Sequence, residues 1–256
     1  MTRRILFVNP FYAPEWTDEL KKYLDDHKNS DTETAVAMLE RGPRHVEFHY
    51  YESLVGQDVL TMVKQGEKAG FDGAVIGCFY DPFLREAREI CDRMVVTALE
   101  EASLQLAASL GANFSIISVR QKCTPAFREN VQKYGMSHRL ASFRHLNLTV
   151  EDLKNNRKLT EERMEAAIAA AVQKDGAEVV ILGCSMMLGF YRLMQEKYGV
   201  PVIDPILAGF KQAEHLVEVR EQCGWYTSKA AHYETPPLED IKAWHLSTAY
   251  GLPDIW

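Results

Sequence analysis

Two short apolar runs that each end in Gly-Cys constrain the fold of this chain more than any other feature. They are residues 73–78 and residues 178–184, and a helical pattern follows each one. Cys78 and Cys184 are therefore predicted to lie at the carboxyl ends of strands, just before helix N-termini, where open parallel sheets bind ligands. A helix N-terminus offers unpaired N–H donors and partial positive charge, which lower a thiol pKa. Two cysteines in matching contexts predict a paired-thiol site between two similar lobes.

Alternating strand and helix patterns cover most of the chain and indicate an α/β fold with parallel sheets. Strands are predicted at residues 4–8, 45–51, 73–78, 94–97, 113–119, 145–150, 178–184 and 200–203. Helices are predicted at residues 17–28, 34–39, 57–68, 81–94, 99–110, 125–134, 160–174, 187–198 and 204–219. From Gln222 onward the pattern fails, and an aromatic tail punctuated by prolines follows.

The two Gly-Cys units indicate a distant internal duplication, which divides the chain into two Rossmann-like lobes. We expect lobe one to comprise residues 1–98 and 205–221, and lobe two to comprise residues 99–204. Residues 222–256 form the aromatic tail, which is more apolar than a solvated terminus needs to be. We therefore expect the tail to form a contact in a homo-oligomer, and a lid is the alternative.

Composition and charge exclude several classes of protein. The chain has 256 residues and a net charge of −7, so it lacks the overall basic footprint of a nucleic-acid-binding protein. Residues 5–8 are too short an apolar run for a signal peptide, and no run approaches the roughly 20 apolar residues of a membrane span. We expect a soluble, cytoplasmic protein whose partner is a small-molecule substrate.

The five cysteines do not form the pattern of a disulfide framework or a zinc site. Their number is odd, they are widely spaced, and no Cys-x-x-Cys pair occurs. Cys91 and Cys223 are interpreted as ordinary structural residues. Cys123 precedes a Thr-Pro pair and lies four residues beyond a predicted strand, so it ranks third as a candidate thiol, after Cys78 and Cys184.

Nucleotide cofactors and metals are not predicted. The loop at residues 9–14 contains no glycine, so it is neither a dinucleotide fingerprint nor a phosphate-binding loop. His45 and His49 would face the same side of a predicted strand, but a third ligand is missing nearby. Asp81-Pro82 and Asp204-Pro205 are interpreted as an N-cap and first residue of the helix that each pair precedes.

Two thiols suit proton transfer at carbon. Inverting a stereocentre next to a carbonyl requires one group that removes the proton and another that returns a proton to the opposite face. A free cysteine has a pKa of about 8.5, so a modest downward shift suits it to acid–base work near neutral pH. Backbone N–H groups at helix starts could hold the developing enolate oxygen. Cys78 and Cys184 are the predicted acid–base pair.

Both cysteine segments resemble motifs of the hydantoin racemases. Residues 77–89 read GCFYDPFLREARE and are similar to the first cysteine motif of that family. Residues 182–187, LGCSMM, together with residues 199–204, GVPVID, are similar to the second. The resemblance covers residues 4–220 and implies the aspartate/glutamate/hydantoin racemase superfamily. It further implies two parallel-sheet lobes related by a pseudo-twofold axis, an active site between them, and no cofactor.

Several positions depart from the family pattern and concern the substrate more than the fold. Phe11 follows Asn9-Pro10 where the family usually has asparagine, and Met186 replaces an expected glycine. By position, the resemblance implies a substrate pocket lined by eight residues: Asn9, Phe11, Phe79, Tyr80, Ser118, Val119, Ser185 and Met186. The predicted activity is racemisation of a hydantoin-like or amino-acid-like substrate. Alternatives are a related decarboxylase or cis–trans isomerase, or a small-molecule binding protein without chemistry.

Overall fold

The computed structural model describes residues 2–253, and within them eight strands form two four-stranded sheets of the same design. The strands are β1 (Arg3–Asn9), β2 (Thr32–Met38), β3 (Gly73–Ile76), β4 (Val95–Ala98), β5 (Phe114–Ser118), β6 (Leu140–His145), β7 (Val179–Leu182) and β8 (Val202–Ile203). The order is β2-β1-β3-β4 in the first sheet and β6-β5-β7-β8 in the second. Both sheets are parallel and helices accompany them, so the predicted α/β class is confirmed.

Helices connect the strands, as parallel pairing requires. In the described residues they are α1 (Thr17–Asp25), α2 (His49–Lys68), α3 (Leu84–Ile90), α4 (Leu99–Leu110), α5 (Thr124–Lys133), α6 (Val150–Asn155), α7 (Arg157–Gln173), α8 (Tyr191–Tyr198), α9 (Pro205–Cys223), α10 (Leu238–Ala243) and α11 (Leu246–Ala249). The inner strands β3, β5 and β7 are buried along their whole length, which is typical of parallel strands covered on both faces.

The chain divides into two compact units. The first contains the chain up to Ile76, Pro82–Thr97 and the chain from Phe210 on, and the second contains Gly77–Asp81 and Ala98–Gly209. The short segment Gly77–Asp81 carries Cys78, so both candidate cysteines belong to the second unit. The core of this unit packs α7 and α8 against β5 and β7 through apolar side chains, among them Ile117, Met164, Ile168, Val180, Leu182 and Met194.

Several predicted elements differ from the structure. Residues 34–39 were expected to be helical, but they lie mostly in β2, which pairs with β1 from Arg3↔Thr32 to Asn9↔Met38. Residues 45–51 were expected to form a strand, but they form a loop that leads into α2 at His49. The pairing of β2 with β1 overrides the Ala-rich local pattern that favours a helix. β2 also fills the place beside β1 that a strand at residues 45–51 would otherwise take.

Two further boundaries were wrong. The strand predicted at residues 145–150 is instead β6, which ends at His145, and the helix predicted at residues 81–94 is the shorter α3, which begins at Leu84. Asp81 and Phe83 have φ values of 50° and 60°. A residue in this left-handed region cannot continue a helix, so the backbone after Cys78 turns twice before α3 begins.

The aromatic tail contacts the rest of the first unit at several points. Lys229 Nζ donates to the carbonyl oxygens of Arg88 and Glu89 at distances of 2.6 and 2.8 Å, and Thr235 Oγ1 also donates to Glu89 O. The helices α10 and α11 follow. Trp256, which the sequence places in the tail, lies outside the described residues. Over residues 2–253, no helix combines the length and apolar character needed to cross a membrane.

Candidate active site

Cys78 lies two residues beyond the carboxyl end of β3, as the pattern predicts for the sheet edge. It is buried, with 8% of its surface exposed. The Asp81 backbone N–H donates to Cys78 O at 3.1 Å and closes a tight turn over the cysteine. Because α3 begins six residues later, the expectation that a helix starts directly after Cys78 was wrong.

Cys184 occupies the equivalent position two residues beyond β7. A short 3₁₀ helix, Ser185–Met187, follows it at once. Gly183, immediately before the cysteine, donates its N–H to Ile117 O at 2.8 Å. A Cβ at Gly183 would lie 2.9 Å from that same oxygen, so only glycine permits this approach to β5. Cys184 is partly exposed and packs against the core of the second unit.

Tyr80 connects the three thiols of the second unit. Its side chain is hydrogen-bonded to Cys123 and interacts electrostatically with Cys78 and Cys184. Burial, and then the charges that these thiols can carry, raise the pKa of Tyr80 well above its ordinary value, so the phenol remains protonated. The ring of Tyr80 lies 5.1 Å from that of Phe127. Cys123, ranked third from the sequence, thus accompanies the other two thiols.

Ser118 and His145 form a hydrogen-bonded pair at the carboxyl ends of β5 and β6. Ser118 Oγ lies 2.6 Å from His145 Nδ1, and it can also donate to Arg120 O at 3.2 Å. Burial and the nearby charge of Arg144 lower the pKa of His145, which favours the neutral ring near pH 7. The sequence pattern missed this histidine because it placed His145 at the start of a strand, whereas β6 ends there.

The other pocket residues predicted in the second unit differ in their availability. Val119 and Phe79 are 2% exposed, Val119 belongs to the core, and the Phe79 ring meets Phe127 edge-on at 4.9 Å. Ser185 is buried, whereas Met186 is half-buried against the core. Met186 therefore remains more accessible to a ligand than Val119 or Phe79.

Asn9 and Phe11 lie at the carboxyl end of β1 in the first unit. Asn9 is fully buried, and its Nδ2 lies 2.9 Å from Met38 Sδ. Its Oδ1 accepts no hydrogen bond from the described residues. The Phe11 ring stacks on Trp16 with 6.0 Å between the centroids, and this contact holds it in the core of the first unit.

Asp81 does not cap its own helix, contrary to the prediction. Its carboxylate instead caps α4 by accepting the backbone N–H of Glu100 through Oδ1 and that of Glu101 through Oδ2, both at 2.7 Å. Asp204 behaves as predicted, since its Oδ1 accepts the Ile206 and Leu207 N–H groups at the start of α9. A capping carboxylate that lies next to its helix in the sequence can thus be predicted. The cap of α4 comes from a distant part of the sequence, and no local pattern indicates it.

No group of three or more His, Cys, Asp or Glu side chains within residues 2–253 is arranged to hold a metal ion. His45 and His49 do not share a strand, because the first lies in a loop and the second begins α2.

Comparison with known proteins shows that the chain is a racemase and hence an isomerase. More particularly, the model of the family described as Asp/Glu/Hydantoin racemase matches residues 5–213, and the chain belongs to this family.

Two curated relatives and one solved structure illustrate the similarity. The hydantoin racemase of Pseudomonas sp. (strain NS671) is 33% identical over 237 residues, which cover 93% of each chain. The hydantoin racemase of Paenarthrobacter aurescens is 34% identical over 91% of this chain and 97% of its own. The allantoin racemase from Klebsiella pneumoniae superposes with a TM-score of 0.86 at 28% identity, over 92% of this chain and 94% of its own.

Proposed function

We propose that the chain is a cofactor-independent racemase that inverts a stereocentre next to a carbonyl, with Cys78 and Cys184 as the acid–base pair. The observation that carries this proposal is the environment of Tyr80, whose phenol interacts with both thiols. Coulomb interactions weaken with distance, so the effect of both thiols on the ionisation of Tyr80 supports placing them at one site. One thiolate removes the α-proton from one face while the other thiol delivers a proton to the opposite face.

The proposed substrate is hydantoin-like or amino-acid-like. Support comes from the relatives, which include hydantoin racemases and an allantoin racemase. Hydantoins carry ring N–H donors and carbonyl acceptors, and the unpaired Asn9 Oδ1 offers a buried acceptor for such an N–H. Beside Asn9, we propose that the other predicted pocket residues contact the substrate: Phe11, Phe79, Tyr80, Ser118, Val119, Ser185 and Met186.

A panel of enantiopure compounds tests the proposal. The purified protein, dialysed against a chelator, is incubated with 5-substituted hydantoins, allantoin, aspartate and glutamate, and the optical rotation is followed. We expect rotation to decay to zero for at least one compound while its concentration stays constant. Carbon dioxide release from a substituted malonate in place of racemisation would identify a decarboxylase, and binding without any turnover would identify a binding protein. Activity that disappears in chelator and returns with one metal would contradict independence from cofactors.

We further propose a cytoplasmic homo-oligomer. Acid–base cysteines must stay reduced, as cytosolic conditions ensure, and the described cysteines are free thiols. For assembly, the support is the exposed aromatic side chains of the tail, such as Trp225 and Trp244, which are 70% and 65% exposed. The support for assembly comes from these exposed side chains and not from the tail as a whole, because other tail residues contact their own unit. Light scattering that shows a monomer at micromolar concentration would contradict the proposal.

A further inference from the structure

Four polar side chains form a cluster beneath the Cys78 turn, which we call the carboxyl cluster: Asp81, Glu100, Asn130 and Tyr134. Asp81 and Glu100 are 4% and 0% exposed. Tyr134 donates its hydroxyl to Asp81 Oδ2 at 2.8 Å, and Asn130 donates to Glu100 Oε2 at 2.8 Å. Two carboxyl groups buried this closely cannot both ionise without a large cost in free energy.

The hydrogen-bond donors decide which carboxyl group carries the charge. Asp81 accepts three donors, namely the N–H groups of Glu100 and Glu101 and the Tyr134 hydroxyl. The N-terminus of α4 adds a favourable partial charge. Among the described residues, Glu100 accepts a hydrogen bond from Asn130 through Oε2, and its Oε1 has no partner. Burial and the neighbouring Asp81 charge raise the pKa of Glu100 well above its ordinary value, so Glu100 is the neutral partner.

The carboxyl cluster also holds the backbone around Cys78. Asn130 Nδ2 donates to Tyr80 O at 2.9 Å, and the Asp81 N–H donates to Cys78 O at 3.1 Å. Asp81 itself has a φ of 50°, in a left-handed region that residues other than glycine adopt infrequently, and the three hydrogen bonds to its carboxylate help to hold it there. The turn after Cys78 is thus held at the Tyr80 carbonyl by α5 and at the Asp81 carboxylate by α4.

We propose that the carboxyl cluster is a positioning device for Cys78, in which Asp81 fixes the turn to the start of α4 and Glu100 holds Asn130 in place. None of its members needs to touch the substrate. Asp81, Asn130 and Tyr134 act through the backbone that presents the thiol, and Glu100 keeps Asn130 aligned. The expected effect on catalytic rate rests on the proposed two-cysteine function, whereas the effect on the thiol itself does not.

The main test compares Asp81→Asn with Asp152→Asn. Asp152 is an exposed carboxylate in the capping box of α6 in the same unit, so its variant controls for the loss of a helix cap. The asparagine at position 81 presents an NH₂ group to donors that need an acceptor. We expect kcat to fall about 10- to 100-fold, because small misplacements of a reacting group are costly. KM should change little, since uniform binding is not removed.

A second measurement needs no substrate. Iodoacetamide labelling, quantified by mass spectrometry, gives the ratio of the alkylation rates of Cys78 and Cys184. We expect Asp81→Asn to change this ratio at least about threefold and Asp152→Asn to leave it unchanged, because alkylation follows thiolate fraction and access. Tyr134→Phe removes one donor and should shift the ratio in the same direction by less. It also carries the test if Asp81→Asn fails to fold.

Glu100→Gln distinguishes the two carboxyl groups. A neutral amide replaces a neutral acid of the same shape, so kcat and the alkylation ratio should stay within about twofold of wild type. The proposal is overturned if folded Asp81→Asn or Tyr134→Phe keeps the wild-type ratio, or if Glu100→Gln is as damaging as Asp81→Asn. A shifted ratio in a protein that racemises nothing would contradict the proposed function alone.

Discussion

The side chain of Tyr80 is hydrogen-bonded to that of Cys123, and the same phenol interacts electrostatically with Cys78 and Cys184. Cys123 ends the short 3₁₀ helix that directly precedes α5, so this contact connects the turn after β3 with the turn after β5 inside the second unit. A phenol whose pKa is raised this far stays neutral, and it can serve as a hydrogen-bond donor beside two thiols.

The first prediction concerns that hydroxyl. Tyr80→Phe keeps the ring against Phe127 and removes only the oxygen, so folding should be preserved. We expect the rate of racemisation to fall roughly 100-fold, because the phenol can turn its O–H from Cys123 to the substrate oxygen and stabilise the charge that develops there. Tyr198→Phe is the matched control, since it loses a hydroxyl that donates to Glu165 O at 3.0 Å. Equal rates for the two variants would contradict the prediction.

The sequence predicted the sheet edge of the site but not its surroundings. Gly-Cys endings marked both cysteine turns, because a buried apolar strand followed by glycine is a local signal. Residues 34–39, which were predicted to be helical, lie mostly in strand β2. Their Thr, Ala and Val side chains are compatible with a helix or a strand, and the pairing with β1 selects the strand. The cap that Asp81 provides to α4 depends on chain folding across 19 residues, and local patterns do not report it.

Because Asp81 is buried, we expect an unusual dependence of stability on pH. Burial raises the pKa of this carboxyl from 3.8 to about 7. The folded state therefore binds the proton more tightly than the unfolded state between these values. The contribution of Asp81 to the free energy of unfolding falls as pH rises through this window, by at most about 1.4 kcal/mol per pH unit.

Urea unfolding at pH 5 and pH 8 measures this dependence. We expect wild type to exceed Asp81→Asn in unfolding free energy by more at pH 5 than at pH 8. Asp152→Asn is the control, because hydrogen bonds from Thr149 lower the pKa of Asp152 and its titration is complete below pH 5. A difference that is the same at both pH values for Asp81→Asn would show that this carboxyl does not titrate in the window.

Gly183 predicts a stability defect next to Cys184. In Gly183→Ala the new methyl group meets the Ile117 carbonyl oxygen at 2.9 Å, and backbone on a neighbouring strand cannot move aside easily. We expect a loss of about 1–3 kcal/mol in unfolding free energy, together with lower activity. At Gly66 the nearest atom is instead a Leu6 methyl group at the end of a flexible side chain. Gly66→Ala should cost less, and calorimetry that ranks the two variants in the opposite order would contradict this argument.

The last prediction tests the two-thiol mechanism itself. Cys78→Ser and Cys184→Ser each remove one acid–base group, and inversion needs a group on both faces of the carbon. Each variant should therefore lose racemisation by roughly 10²–10⁴-fold. The remaining thiolate can still remove the α-proton of one enantiomer and return a proton to the same face. In deuterated water each variant should exchange the α-hydrogen of one enantiomer, and the two variants should prefer opposite enantiomers.

Proton NMR of the α-hydrogen reads this exchange directly, with Cys223→Ser as an exposed-cysteine control. A decarboxylase would depend on one cysteine for protonation and much less on the other, and a binding protein would catalyse no exchange. If both variants exchanged the same enantiomer, the two thiols would have to lie on one face of the carbon. Racemisation at the wild-type rate in either variant would show that another group acts as acid or base. Cys123, which is hydrogen-bonded to Tyr80, would then be the first candidate.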